Sequence, residues 1–314
     1  MSWIWWFSSC PFQKCVGKLI LRYRMDKTLL AILSEPMGML YQAKQAFYAD
    51  VLMSATQGVF PIAKESALNF YNSDVSVISE FGGQFSPEMA EGIAIIGFTD
   101  VITKHDRYSA GTTRKADLLQ RALANDKVEG VILFFDSPGG FSNAPEVMLE
   151  VIRNSDKPIN AFVDGYCASA AYEIAAACNN IYVKSNYSTV GSIGTYGGYS
   201  DFKGILTGFG AKIEDVYASA STLKNIEIRE ALKGNTEHMQ ARVDEFNDMF
   251  LASVKMDRGE RITDADAFKG KAYLGEAAVK AGLADGIRNL DAVVSEMLAG
   301  RSASAEGVKK LVFC

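Results

Sequence analysis

From Gly92 onward, short apolar runs alternate with helical segments, and this alternation constrains the fold more than any other feature of the chain. The apolar runs are 93–98, 128–135, 158–163 and 181–183. Helix-like apolar spacing fills the intervals at 113–125 and 145–152. Strands that are apolar on both faces are typical of parallel sheets with helices on each side. The sequence therefore predicts an α/β fold of stacked β-α units.

Several further elements follow from spacing and punctuation. Asp164-Gly165 indicates that the third strand stops at Val163, and a helix of small residues is expected over 168–177. A strand is predicted for Ile213 to Tyr217, and an amphipathic helix for 235–255. The pattern in 273–286 indicates a short helix followed by a turn, with a helical tail after Asp291.

The chain divides into four regions: a leader (1–24), a helical N-terminal extension (25–87), the α/β domain (88–290) and a helical and polar tail (291–314). In the leader, apolar residues precede basic ones, which reverses the order of a secretory signal. No run reaches the roughly 18 apolar residues of a membrane span. We therefore expect Met25 to be the native start. An interfacial amphipathic anchor is the alternative.

Composition excludes some classes of protein. Hydrophobic residues make up 48% of the 314 residues and the formal net charge is -5, which argues against global disorder and against nucleic acid as the main partner. The five cysteines form no CxxC pair and show no metal-ligand spacing, so reduced thiols in the cytoplasm are expected rather than a disulfide framework. We expect neither a metal nor a cofactor.

Ser169 is the candidate nucleophile. It stands where a predicted strand gives way, after a tight turn, to a helix of small residues. A hydroxyl at such a helix start lies beside backbone N–H groups that have no helical acceptor, and small neighbours let a substrate backbone approach. The alternative is that Ser169 only caps the helix, since serine is a preferred cap.

A second segment, Asp136-Ser-Pro-Gly-Gly140, follows a buried strand. Paired glycines can turn with positive φ and expose N–H groups without obstruction by side chains. The N–H groups of Gly140 and Ala170 are therefore candidates for an oxyanion hole. An ordinary strand-to-helix turn is the alternative.

The general base is the next question, because the chain has only two histidines. His105 lies in a polar stretch and His238 at the start of an amphipathic helix, and neither has an evident orienting partner. Lysine can serve as a base where burial favours its neutral form. Lys224 has small or apolar neighbours, which makes it the candidate; a surface lysine in a loop is the alternative.

These residues resemble the signal-peptide-peptidase A type of serine peptidase, over Gly92 to Ile287. Four ordered pieces carry the resemblance: 136–140, 168–172, 189–194 and 270–285. The resemblance implies a ClpP/crotonase-like fold of stacked β-β-α units, a Ser169/Lys224 dyad, and an oxyanion hole from Gly140 and Ala170. It also implies that Ser192 orients the lysine.

The chain departs from the family pattern at two points. Ala170 stands where the family usually has glycine, and Leu223 precedes the lysine where an aromatic is frequent. Lys212 and Lys233 are the competing lysines.

The expected function is a serine endopeptidase with a Ser/Lys dyad, similar to soluble head-maturation (prohead) proteases of phages and prophages. Its expected partners are polypeptide substrates, among them scaffold and capsid proteins, and further copies of itself in a ring. Nucleic acid and an integral membrane span are not expected. The alternatives are a host peptidase that clears signal peptides and peptide debris, an inactive structural protein, a crotonase-like acyl-CoA enzyme and a plain interaction module.

Overall fold

The computed structural model describes residues 92–105, 111–199, 201, 203–208, 210 and 212–299. The predicted leader and N-terminal extension lie outside these residues, as does the end of the predicted tail. The four-region division of the chain therefore stays a prediction.

Strands and helices alternate along the described chain. The strands are β1 (Gly92–Phe98), β2 (Val128–Ser137), β3 (Ile159–Ala168), β4 (Asn180–Val183), β5 (Thr189–Gly191), β6 (Ala272–Leu274) and β7 (Gly286–Ile287). The helices are α1 (Thr112–Ala124), α2 (Glu146–Arg153), α3 (Ala170–Ala176), α4 (Lys203–Gly208), α5 (Ile226–Ala231), α6 (Glu237–Arg258) and α7 (Gly275–Lys280). A short 3₁₀ helix covers Ala265–Lys269, and residues 290–299, here called α8, are helical.

One sheet organises these elements. Its strands run in the order β1-β2-β3-β4-β7, all parallel. The short strand β5 pairs parallel with the end of β3, and β6 pairs antiparallel with β5. The predicted α/β class with a parallel sheet is confirmed.

Both faces of the sheet are covered, as the apolar runs predicted. Side chains alternate along β2: Val131, Leu133 and Phe135 join the main core, which α1, α2, α3 and α6 complete. Ile132 and Phe134 point to the opposite face, where they pack with Val293 and Met297 of α8. The segment predicted as a tail after Asp291 therefore begins with a helix that buries apolar surface of the sheet.

The third strand is longer than predicted, and the prediction that Asp164-Gly165 ends it is wrong. β3 runs on to Ala168, because the Oδ1 atom of Asp136 accepts a hydrogen bond from the Tyr166 N–H at 3.0 Å. A Cβ on Gly165 would lie 2.3 Å from that oxygen, so only glycine fits there. The side chain of Asp136 thus bridges the register shift between β2 and β3, and β3 continues to the residue before Ser169.

The strand predicted for Ile213 to Tyr217 does not form, and residues 212–218 have no regular secondary structure. β-propensity alone does not make a strand without a partner strand to bond. Val216 in this segment is 94% exposed, so its apolar side chain is not packed into the core that the described residues form.

The other predicted helices are present within a few residues of their expected bounds, including the long α6. Sequence spacing missed the short strands β6 and β7, which flank α7 in the segment predicted as helix and turn. Among the described residues, no helix combines the length and the apolar character needed to cross a membrane.

Candidate active site

Ser169 occupies a tight corner between β3 and α3, as its sequence context predicted. Its φ of 55° and ψ of -126° are unusual for a residue with a side chain. The Ser169 N–H donates to the Gly191 carbonyl at 2.9 Å, and the Ser169 carbonyl accepts from the Glu173 N–H at 3.0 Å. All seven residues of α3 are buried. The surrounding packing and hydrogen bonds therefore hold a strained backbone in place.

The Gly139-Gly140 turn lies directly against Ser169. A Cβ atom on Gly139 would be 2.8 Å from the Cβ of Ser169 and 3.0 Å from the backbone nitrogen of Ala170. The φ of Gly139 is +97°, in the region that favours glycine. A side chain at Gly139 would thus clash with the candidate nucleophile.

Two backbone N–H groups beside Ser169 are available to a ligand. Neither the Gly140 N–H nor the Ala170 N–H has an acceptor among the described residues, whereas the Gly139 N–H donates to the Ser137 hydroxyl at 3.2 Å. The two free donors are the pair that the sequence singled out for an oxyanion hole. This arrangement fits the stabilisation of negative charge on an oxygen atom.

Ser192 also lies near the corner. The Ser169 N–H bonds to Gly191, the residue before Ser192, and β5 runs beside the end of β3. Ser192 has a φ of 53°, and its N–H donates to the Lys271 carbonyl at 2.9 Å. The structure therefore brings together three of the predicted segments, around Gly140, Ser169 and Ser192.

Lys224 is not joined to this group. Its side chain is exposed, whereas Ser169 is 5% exposed, and its ammonium group has no partner among the described residues. It lies in an open depression together with Asp215, Tyr217 and Ser221.

The competing lysines and the histidines are all on the surface. Lys212 pairs with Glu214 at 3.0 Å, and Lys233 pairs with Glu230 at 2.8 Å. His105 and His238 are both exposed. Of these three lysines, Lys224 alone lacks an ion-pair partner in the part of the chain that the structure describes.

Sequence reasoning missed a polar cluster behind the nucleophile. Glu173, four residues after Ser169, is 7% exposed, and burial raises the pKa of its carboxyl from 4.5 to about 7. The Ser253 hydroxyl hydrogen-bonds to this carboxyl and accepts from the Arg153 guanidinium at 3.0 Å. Arg153 also binds Asp257 through two hydrogen bonds, of 3.0 and 2.7 Å. The sequence feature that could have indicated this cluster is a single acidic residue, Glu173, within a predicted helix of small residues.

Comparison with known proteins matches part of this chain to a family model. Residues 152–304 match the family model described as Peptidase family S49, a range that includes Ser169, Ser192 and Lys224 but not Gly140. The resemblance predicted from the sequence motifs is confirmed by this match.

Individual relatives come from phages and bacteria. The head-tail preconnector protein GP5 of Enterobacteria phage P21 is 30% identical over 192 residues, covering 60% of this chain and 38% of the phage protein. Protease 4 of Salmonella typhi is 26% identical over 235 residues, or 73% of this chain and 37% of that protein. Capsid assembly protease C of Escherichia phage lambda is 26% identical over 220 residues, which cover 68% of this chain and 50% of the phage protein. The chain thus spans half or less of the length of each of these three relatives.

Proposed function

We propose that this chain, which belongs to peptidase family S49 over residues 152–304, is a serine endopeptidase with Ser169 as its nucleophile. The observation that carries the proposal is the constellation at the β3–α3 corner. A serine is held there in a strained conformation beside the free N–H groups of Gly140 and Ala170. Acyl transfer needs a nucleophile and oxyanion donors in this relation.

The reaction proceeds in two halves. The Oγ of Ser169 attacks the carbonyl carbon of the substrate peptide bond while its proton passes to the neutral amine of Lys224. The Gly140 and Ala170 N–H groups bind the oxyanion of the tetrahedral intermediate. The C–N bond then breaks, and the leaving amine takes the proton from Lys224. A water molecule, deprotonated by the same amine, then attacks the acyl-serine ester. The ester C–O bond breaks, and the proton passes from Lys224 to the Oγ of Ser169, which regenerates the free hydroxyl and the neutral amine.

We further propose that the lysine is supplied by a neighbouring subunit in a closed ring. A lysine base must be shielded from water, because burial favours the neutral amine, and Lys224 is exposed in the single chain. Its segment also carries exposed apolar side chains, with Val216 94% and Leu223 71% exposed. Contact with a second copy of the chain would cover these side chains and shield Lys224.

Two further features, the exposed side of the helix α6 and the position of Ser192, are consistent with this assembly. The helix α6 exposes Met249 and Met256, which favours a role for this helix as a subunit contact. Ser192, close to the backbone of Ser169, is suited to orient an incoming lysine through its hydroxyl.

The proposed substrates are scaffold and capsid proteins within an assembling prohead in the cytoplasm. Two relatives, the preconnector protein of phage P21 and the capsid assembly protease of phage lambda, support this role. The similarity to Protease 4 of Salmonella typhi supports the alternative, a peptidase that clears signal peptides and peptide debris. Portal and capsid genes beside the gene for this chain would favour the first role over the second.

The catalytic assignment can be tested with a fluorophosphonate probe and mass spectrometry. We expect the full chain to form one covalent adduct, on the peptide that contains Ser169. The Ser169→Ala variant should form no adduct and should lose hydrolysis of an unstructured protein by roughly 10⁴-fold or more. Lys224→Ala should be similarly damaging.

Matched controls address the rival assignments. Lys212→Ala and Lys233→Ala should retain activity, because the ammonium groups of both lysines are already engaged in surface ion pairs. His105→Ala and His238→Ala should do so too. A large loss in either histidine variant would indicate a histidine base, and an adduct on another serine would remove Ser169 from the site.

A further inference from the structure

Ser137 is a buried serine at the end of β2 that the proposed mechanism does not use. It is 0% exposed. Its hydroxyl donates to the Asp100 carbonyl at 2.6 Å and accepts from the Gly139 N–H at 3.2 Å. One hydroxyl therefore connects the segment after β1 with the glycine turn that lies against Ser169.

The backbone of Ile102 holds the same turn on its other side. The Ile102 N–H donates to the Gly139 carbonyl at 2.9 Å, and the Phe141 N–H donates to the Ile102 carbonyl at 2.9 Å. In a trans peptide, the carbonyl and the N–H of the next residue point in opposite directions. Because the Gly139 carbonyl points at Ile102, the Gly140 N–H points away from it and stays free.

The turn has little intrinsic preference for this conformation. Two consecutive glycines can adopt many backbone conformations, so external contacts must select one. Ser137 fixes the peptide before Gly139, and Ile102 fixes the peptide after it. Without the Ser137 hydroxyl, the Asp100 carbonyl would lose this donor and the Gly139 N–H would lose this acceptor. Because the site is buried, the turn would then be expected to rearrange and form other hydrogen bonds.

We infer that Ser137 is a positioning residue that, together with the backbone of Ile102, fixes the conformation of Gly139 and thereby the direction of the Gly140 N–H, without touching the substrate. This inference rests on the proposed function. The two glycines therefore have different roles. The Gly139 N–H donates to the Ser137 hydroxyl, and only the Gly140 N–H is left to bind an oxyanion.

The test is the rate at which the fluorophosphonate probe modifies Ser169 in the full chain. The phosphoryl oxygen of the probe gains negative charge during attack, so the maximal rate constant reports on the oxyanion hole, while the half-saturating probe concentration reports on binding. Ser137→Ala should lower the maximal rate constant at least tenfold, since loss of one oxyanion donor costs about 10²- to 10³-fold. The half-saturating concentration should stay within about twofold, as expected when only transition-state interactions are lost.

Ser188→Ala is the matched control. Ser188 is also 0% exposed, and its hydroxyl also donates to a backbone carbonyl, that of Val163 at 3.2 Å, and accepts from a backbone N–H, that of Ser185 at 3.4 Å. It lies outside the glycine turn. Its loss should lower the thermal unfolding midpoint about as much as Ser137→Ala does, but should leave the labelling rate near that of the wild type.

Ser137→Cys gives a second reading if the alanine variant fails to fold, because a thiol fills the same space but hydrogen-bonds weakly. It should also label slowly. Wild-type labelling rates in the folded Ser137 variants, or an equal loss in Ser188→Ala, would overturn the positioning role alone. Absence of labelling in the wild-type protein would instead overturn the proposed function, and this inference with it.

Discussion

At the scale of single residues, the candidate nucleophile Ser169 has a strained backbone. Its φ of 55° and ψ of -126° are costly for any residue with a Cβ atom, at about 1–3 kcal/mol. The strain persists because the Ser169 N–H and carbonyl are both hydrogen-bonded within the fold. This strained backbone places the Ser169 side chain beside the glycine turn. The strain lowers the stability of the fold at the residue that is the candidate nucleophile.

This strain predicts a difference between two inactive variants. Ser169→Gly should be more stable than Ser169→Ala by about 1 kcal/mol, because glycine adopts this conformation without strain and that gain exceeds its larger entropy loss on folding. Urea unfolding of both variants, followed by circular dichroism, measures the difference. Equal stability, or a more stable alanine variant, would show that the corner is not strained in solution.

The sequence indicated Ser169 and the glycine turn because strand ends and paired glycines are local signals. It named the Gly140 N–H as a candidate oxyanion donor but did not show what holds the glycine turn, because that depends on the Ser137 hydroxyl and on Ile102, which is distant in sequence. The sequence also did not predict the burial of Glu173, because that burial depends on α2 and α6 packing around α3. Local pattern thus indicates the candidate reactive residues, while long-range contacts decide their environment.

At the scale of elements, a polar cluster connects three helices behind the candidate nucleophile. Arg153 of α2 binds Asp257 and Ser253 of α6, and Ser253 bonds to Glu173 of α3. Burial raises the pKa of Glu173 to about 7, with smaller opposing effects from Ser253 and the Arg153 charge. The folded protein therefore holds a proton on Glu173 between pH 4.5 and about 7, where the unfolded chain releases it.

This linkage predicts how stability depends on pH. The contribution of Glu173 is fully present below about pH 4.5 and is lost as pH rises to about 7, because the buried carboxylate is costly once ionised. Its total is about 3 to 4 kcal/mol, because the pKa difference between 4.5 and about 7 converts at about 1.4 kcal/mol per pKa unit. Glu173→Gln should abolish this decline, so its advantage over the wild type should grow between pH 5 and pH 8.

Denaturant unfolding at a series of pH values measures the effect. Glu150→Gln is the control, because Glu150 is an exposed carboxyl on α2, and it should leave the shape of the wild-type curve unchanged. A Glu173→Gln curve parallel to that of the wild type would mean that Glu173 is ionised throughout the range.

Elements were predicted best where hydrophobic period and length agree, as in β1, β2, α1 and α6. The errors arose where contacts with residues distant in sequence determine whether a strand forms or continues. β3 passes through Asp164-Gly165 because Asp136 of the neighbouring strand accepts the Tyr166 N–H. The segment 213–217 has the composition of a strand but has no partner strand among the described residues.

At the scale of the whole molecule, the candidate base lies apart from the candidate nucleophile in exposure. Ser169 and the two candidate oxyanion donors lie at the β3–α3 corner, while Lys224 lies on an exposed segment with the apolar side chains of Val216 and Leu223 exposed. Exposed apolar side chains of this kind are typical of interaction surfaces. A head-to-tail contact repeated around a closed ring would bring the lysine segment of each subunit to the serine corner of the next.

Complementation between two inactive variants tests this arrangement. Ser169→Ala and Lys224→Ala chains, mixed in equal amounts under conditions of subunit exchange, should recover about a quarter of wild-type activity, because one interface in four pairs an intact serine with an intact lysine. Ser169→Ala mixed with the Ser169→Ala/Lys224→Ala double variant is the control and should stay inactive, since no intact serine is present. Exchange is verified by energy transfer between labelled subunits, and size by light scattering. A mixture that exchanges but stays inactive, or a wild-type monomer with full activity, would show that each chain carries a complete site of its own.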